Sequence, residues 1–179
     1  MTTNSIKIAV EGPTDKQFLF KYLDFCDIKF DAANIEILGG KSSIKTKQAV
    51  YQREIDSGKQ VLLLLDYDHQ DCEHNQICAS YKAKDIITDY YLIGENLKLN
   101  KRNNLENLLL STAKHTKFIN CFAQYETCID KALAEKSKWF AYIEATGNKH
   151  DDINYPKIFD LKHANFEPLK NFLNSYLNT

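Results

Sequence analysis

Glu11, Asp15, Asp66 and Asp68 are the side chains whose types and spacing suit chemistry. Glu11 directly follows the β-rich run Ile6 to Val10. Asp66 directly follows Val61 to Leu65, the most apolar stretch of the chain. Asp15 stands four residues after Glu11, on the first turn of a helix that begins near Pro13. Asp66 and Asp68 are separated by one residue, so on extended backbone their side chains project the same way. Carboxylates gathered at close range cannot all ionise unless something positive sits among them. Hard oxygen donors of this kind select Mg²⁺, with Mn²⁺ as its substitute. One or two such cations supply what phosphodiester cleavage needs: a neutralised phosphate, an activated nucleophile and a stabilised leaving oxygen. A lone aspartate at a strand end is usually a cap or a turn residue. Glu11 and a DxD pair at two successive strand ends together point to a metal.

The elements that must position these residues are legible as β-α-β-α-β. Ile6 to Val10 ends at Glu11-Gly12-Pro13, and Phe18, Leu19, Tyr22, Leu23 and Phe25 follow at helical spacing. Ile35 to Leu38 is a second short strand, stopped by Gly39-Gly40. A mostly polar helix is expected over Lys41 to Asp56, closed by Ser57-Gly58. The unbroken apolarity of Val61 to Leu65 marks a strand buried on both faces, as in a parallel sheet. Beyond it, Asp66 to Gln76 reads as a polar loop, Tyr81 to Thr88 as a short helix and Tyr90 to Ile93 as a fourth strand. Helices are expected near Leu105 to Ala113, Thr116 to Leu133 and Pro168 to Leu177; Trp139 to Ile143 suits helix or strand. The fold class expected is therefore α/β, a Rossmann-like, mostly parallel sheet flanked by helices. Residues 1–110 form the core, and 111–179 form a largely helical C-terminal extension packed on the same domain. In such sheets ligands bind beyond the carboxyl ends of the strands, where Glu11 and Asp66 stand.

Glu11-Gly12-Pro13-Thr14-Asp15 followed by Phe18-Leu19 is similar to the EGxTDxxFL signature of Toprim domains. Asp66-Tyr67-Asp68 after the apolar strand looks like the Toprim DxD. Within that group the chain resembles small stand-alone Toprim-like proteins and the Toprim domain of the overcoming-lysogenization-defect nucleases. LENLLL, the CFAQYETC segment and the C-terminal Leu-Lys-Asn-Phe-Leu run are shared with the stand-alone proteins. The core match covers roughly the first half of the chain. The resemblance implies that Glu11 is a general acid/base or a metal ligand and that Asp66 and Asp68 hold Mg²⁺. It places Asp15 at an acidic metal position of nuclease-type members, with Glu106 a further acidic contributor. For Glu106 a solvated glutamate at a helix start is an equal reading. The implied activity is Mg²⁺-dependent phosphodiester chemistry on nucleic acid, DNA ahead of RNA, by a nuclease or the nuclease part of a two-protein system with an ATPase or helicase partner. A non-catalytic nucleotide- or nucleic-acid-binding module is the alternative. Topoisomerase and primase action are not expected, since the modules that accompany those activities are not recognisable here. A receiver-like domain with an acidic Mg²⁺ pocket is disfavoured because no lysine stands where that fold needs one.

Charge bears on the partner. Lys+Arg is 23 against Asp+Glu 24, which excludes a uniformly basic nucleic-acid coat. An anionic substrate must then meet bound cations or a local patch. Lys41, after Gly39-Gly40 at a helix start, is well placed for a phosphate and is assigned a catalytic role. Lys41, Lys45, Lys47, Arg53 and Lys59 against Glu54 and Asp56 give 5 − 2 = +3 for that segment. No apolar run reaches the length of a membrane span, and MTTNSIKIAV lacks the features of a secretory signal. The five cysteines have no CxxC spacing and are expected to be free thiols in a reducing cytoplasm. Cys72, His74 and Cys78, with His69 nearby, match no familiar zinc spacing, so a loop with incidental thiols is the preferred reading.

Overall fold

The computed structural model describes residues 5–40, 42–67, 72–97 and 103–177. Four strands, β1 (Ile6–Val10), β2 (Ile35–Ile37), β3 (Gln60–Asp66) and β4 (Asp89–Ile93), form one sheet in the order β2-β1-β3-β4. Every pairing is parallel, and Ile8 stands opposite Ile35 on one side and Leu62 on the other. Helix α1 (Pro13–Phe25) carries the chain from β1 to β2, and α2 (Ser43–Asp56) carries it back past β1 to β3. Because the two crossovers run in opposite directions, right-handed connections place them on opposite faces of the sheet.

The alternation of side chains along β1 and β3 divides the interior in two. Ile8, Val10, Leu62 and Leu64 pack with Phe18, Leu19, Tyr22 and Leu23 of α1. Ala9, Leu63 and Leu65 face the other way, onto Ile44 and Tyr51 of α2 and onto Cys78 and Tyr81 of α3 (Cys72–Ala83). A strand covered on both faces needs apolar residues at consecutive positions, and Val61 to Leu65 are all buried.

The C-terminal half consists of α4 (Leu105–Leu110), α5 (Thr116–Ile129), α6 (Glu135–Ala145), α7 (Tyr155–Ile158) and α8 (Glu167–Leu177). Trp139, Tyr142, Tyr155, Phe159, Leu169 and Leu173 join the same cluster as α1 and the β1 and β3 residues of that face. The Trp139 and Phe159 rings stack 5.5 Å apart, and Phe18 meets Tyr155 edge-on at 5.4 Å. At the amino end of β4, Asp89 accepts hydrogen bonds from Tyr176 Oη of α8 and Lys82 Nζ of α3, both at 2.6 Å. Helices on either side of the sheet are thereby anchored to the edge strand.

The boundaries differ from the sequence expectation most at α3 and α5. Residues read as a polar loop up to Gln76 belong to α3, which ends at Ala83, before the helix expected over Tyr81 to Thr88 is complete. Ile77, Cys78 and Tyr81 supply its single apolar face, and polar Glu73 and Gln76 face outward, so local polarity conceals a helix one face deep. Helix α5 stops at Ile129 rather than Leu133 because Asp130 turns left-handed, with φ 49°. Residues 139–143 lie in α6. Among the described residues no helix is long and apolar enough to cross a membrane.

Leu63→Ala is expected to cost about 2–5 kcal/mol of unfolding free energy, because the cavity it leaves lies between two packed layers. Ile37→Ala, at an exposed position of edge strand β2, is expected to stay within about 0.5 kcal/mol of the parent. Urea titrations of both variants measure the contrast.

Candidate functional site

From β1 the chain passes to β2 on one side and returns to β3 on the other, so a crevice opens between the carboxyl ends of β1 and β3. Glu11 follows β1 and Asp66 ends β3. The Glu11 side chain crosses the crevice, and its Oε1 accepts the backbone N–H of Asp66 at 2.8 Å. Its carbonyl oxygen accepts the N–H groups of Gly39 and Gly40 at 3.1 and 3.3 Å. Those glycines have φ of 77° and 116°, a backbone that side chains resist, and so the turn after β2 can fold back onto Glu11. The residue is held from both flanking strands.

Asp15 is the third residue of α1, and its Oδ2 accepts the Gly12 N–H at 2.8 Å. This is the half of a capping box that a glycine at the N-cap still permits. Asp66 Oδ1 accepts the Leu105 N–H at 2.9 Å, so a carboxylate from β3 holds the first turn of α4. Asn104 caps the same helix through its side chain, bonded to the Asn107 N–H at 2.9 Å. Glu106 on that turn is thereby carried to the site.

The electrostatics show the convergence. Burial pushes the Asp15 carboxyl up to about 7; the Gly12 N–H pulls it down, and Glu11 and Glu106 push it further up. Asp66 is held well above the ordinary carboxylate range by burial, then by the charges of Glu11, Asp15 and Glu106. Tyr155 of α7 belongs to the same surroundings. Its hydroxyl is raised by burial first and by Asp15 and Glu106 after it, and it donates to Gln17 Oε1 at 3.3 Å. Four carboxylates from β1, α1, β3 and α4 thus stand in one another's field.

Glu11, Asp15, Asp66 and Glu106 are therefore brought together, while Lys41 and Asp68 lie outside the described residues. The basic segment around α2 does not offer itself as a phosphate surface. Lys45 pairs with Glu73, Lys47 with Glu36 and Lys59 with Glu54, at 2.5 to 2.6 Å. Cys78 is buried among Tyr51, Tyr81 and Leu63, as a small core residue, not as a ligand facing a loop. Cys26, Cys78, Cys121 and Cys128 are free thiols.

Sequence reasoning missed two contributors. Lys136, in the first turn of α6, is the cation whose charge opposes the elevation of Asp15. Its ammonium lies 5.9 Å from the centre of the Phe140 ring and joins no ion pair among the described residues. It is 121 positions from Asp15 (136 − 15), a separation that no local pattern bridges. The second is the support beneath α4. Tyr67 donates to Ile93 O at 3.0 Å and accepts from the Asn103 N–H at 3.1 Å, and the buried Asn103 amide donates to Leu97 O at 2.8 Å. Gly94 packs against Asn103 so closely that a Cβ there would sit 2.9 Å from the Asn103 Cβ.

All-carboxylate donors and mutual repulsion fit a hard divalent cation in charge and donor type. Among the described residues, no three His, Cys, Asp or Glu side chains form a group that could hold a metal ion as they stand. The carboxylate oxygens of Glu11, Asp15 and Asp66 named above are engaged with backbone N–H groups, and the DxD partner Asp68 lies outside the described residues. The cluster is an electrostatic one and forms no closed cage among the described residues.

Fold and site define a parallel α/β protein with an acidic cluster at its topological switch point. No family model, curated protein or solved structure matches the chain.

The raised carboxyls set the sign of the pH dependence. Asp15 binds its proton up to about pH 7 when folded but only to the ordinary carboxylate value of 3.8 when unfolded. The folded state therefore holds the extra proton between these values, and stability falls as pH rises through this window. In a chelator, the protein is expected to melt at a higher temperature at pH 5 than at pH 8. Asp66→Asn, which removes one of the like charges, is expected to narrow that difference. Gly94→Ala is expected to cost at least about 1–3 kcal/mol, since positive φ and the Asn103 contact both oppose it; denaturant unfolding checks the value.

Proposed function

We propose that the chain is a Mg²⁺-dependent phosphodiester hydrolase of the Toprim type, acting on nucleic acid. The observation that carries this reading is the convergence of Glu11, Asp15, Asp66 and Glu106 where β1 and β3 end. Asp66, Asp15 and Glu106, with Asp68, would hold Mg²⁺ or Mn²⁺. A cation bound there supplies charge neutralisation for the phosphate and for the oxygen that leaves. Glu11 is fixed between two strands, an orientation suited to moving a proton to or from a water beside the cluster. Lys136 adds an exposed ammonium whose charge reaches Asp15, fitted to a phosphate oxygen after the carboxylates are neutralised. DNA is the preferred substrate over RNA, and Lys41 after Gly39-Gly40 is retained as a phosphate contact. An ATPase or helicase partner that delivers the strand suits a chain of near-zero charge, which has little long-range attraction for nucleic acid. A cytoplasmic setting agrees with the free thiols.

The second reading is a non-catalytic nucleotide- or nucleic-acid-binding module. It is favoured by the absence, among the described residues, of a group closed to metal-ligand geometry.

Calorimetry with Mn²⁺ and cleavage assays on plasmid and single strands separate the two. The hydrolase reading expects saturable Mn²⁺ binding, and a fall in cleavage of about 10²-fold or more in Glu11→Ala and Asp66→Ala. Lys136→Ala is expected to lower cleavage about tenfold or more while leaving Mn²⁺ affinity within about twofold. No Mn²⁺ binding by folded wild-type protein would overturn this reading. Mn²⁺-dependent nucleic-acid binding without cleavage, alone or with a partner ATPase, would establish the second.

A further inference from the structure

Helix α1 leads away from the carboxylates. Its thirteen residues span roughly 20 Å, so its end lies across the domain from the acidic cluster. There, between the end of α1 and the segment entering α8, lies a cleft of ≈ 560 Å³. That volume is within the range of pockets that hold small molecules. Its floor is aromatic: the Tyr22 and Phe166 rings, both almost fully buried, lie 5.4 Å apart and 30° from parallel. Its wall is Phe25, half-buried, with its ring 6.4 Å from Tyr22 and 25° from parallel. Of the three rings only Phe25 is partly exposed, and it offers the face on which a planar heterocycle can stack.

The polar groups at this cleft are as informative as the rings. Lys162 and Lys170 supply two ammonium groups, and Asp27 and Glu167 two carboxylates. All four are exposed, and none joins an ion pair among the described residues, although opposite charges share one opening. Lys45, Lys59 and Lys82, by contrast, are each paired with a carboxylate. A ligand that satisfies this cleft therefore carries a flat ring, an anionic group for the lysines and N–H donors for the carboxylates.

We propose that the cleft between the end of α1 and the start of α8 binds a nucleoside monophosphate unit, with its base stacked on Phe25. Lys162 and Lys170 take the phosphate, and Asp27 or Glu167 accepts the amino or imino hydrogens of the base. Guanine, which offers adjacent N–H donors to one carboxylate, is the best fit, and uracil, without an amino group, the poorest. The unit is either a free nucleotide or the end of a strand. The site is independent of the proposed hydrolase activity.

Cys26 lines the same cleft, half-buried, and serves as an internal reporter. Its alkylation by iodoacetamide can be read by peptide mass mapping of the wild-type protein, with exposed Cys121 as the reference. GMP is expected to slow Cys26 alkylation about tenfold at ten times its dissociation constant, with Cys121 unaffected. UMP should protect less, and inorganic phosphate not at all. Lys170→Glu, a change at an exposed position, is expected to abolish protection without altering thermal melting, and Phe25→Ala to abolish it as well. Asp66→Ala should protect as the parent does, which separates this site from the carboxylate cluster. Protection by a short oligonucleotide at lower concentration than by GMP places the unit at a strand end. Absence of protection by any nucleotide or oligonucleotide up to about 10 mM, or equal protection by phosphate alone, overturns the proposal.

Discussion

The hydrogen bond from the Asp66 N–H to Glu11 Oε1 is the constraint on which the site depends. It joins the ends of two neighbouring strands through a side chain, at the point where main-chain pairing between β1 and β3 has run out. A parallel sheet splays at such a point, because consecutive crossovers leave to opposite faces and take their backbone with them. Glu11 closes that gap at its own electrostatic expense, since its carboxylate approaches a second acid, Asp66, in a partly buried crevice. The arrangement is stable because each of three acids is compensated by an N–H group: Asp66 for Glu11, Gly12 for Asp15 and Leu105 for Asp66. Hydrogen bonds to a charged acceptor are worth about 1.5–3 kcal/mol each, enough to hold the geometry but not to cancel burial and repulsion. Hence Asp15 and Asp66 remain raised.

Those same bonds explain why helices distant in sequence arrive at one place. Asp66 is an end residue of β3 and also the acceptor for the first turn of α4, so it positions Glu106 by holding the backbone of that turn. The segment between β4 and α4 has to approach at the right height, and Asn103 sets that height through Tyr67 on one side and Leu97 on the other. Gly94 is the concession that this approach requires. The acidic cluster is thus built from the core outward, because Leu105, Leu108 and Leu109 bury α4 against the same apolar layer as α1.

How much of this was legible in the sequence follows from the range of the interactions. The strands and the first two helices could be read because β3 is apolar at every position and because Gly39-Gly40 and Ser57-Gly58 punctuate the chain locally. Glu11 and Asp66 could be placed because strand ends define a common edge whatever the details of packing. Helix α3 was misplaced because only one of its faces is apolar, and its polar remainder imitates a loop. Lys136 and the Gly94–Asn103 contact were invisible because each depends on where α6 or α4 docks, which is settled by aromatic packing around Trp139, Tyr155 and Phe159. The lysines of α2 show the opposite error. The segment's net charge of +3 does not survive as a basic face, because Glu36, Glu54 and Glu73, from three different elements, pair with its lysines.

On the proposed function, that neutralisation bears on how an anionic strand would be met. With the α2 lysines paired, attraction at the crevice in the proposed hydrolase would have to come from a cation held by the carboxylates and from Lys136, whose charge reaches Asp15. Before a cation binds, the cluster repels phosphate; once two of its charges are cancelled, the same crevice becomes neutral to positive within a Debye length of about 8 Å. Such a sign reversal, on a protein whose total charge is close to zero, would tie substrate attraction to metal occupancy in the proposed hydrolase. The raised carboxyls strengthen that linkage. On the proposed function, a cation would have to displace protons from Asp15 and Asp66, so affinity for metal, and with it affinity for a strand, would rise with pH.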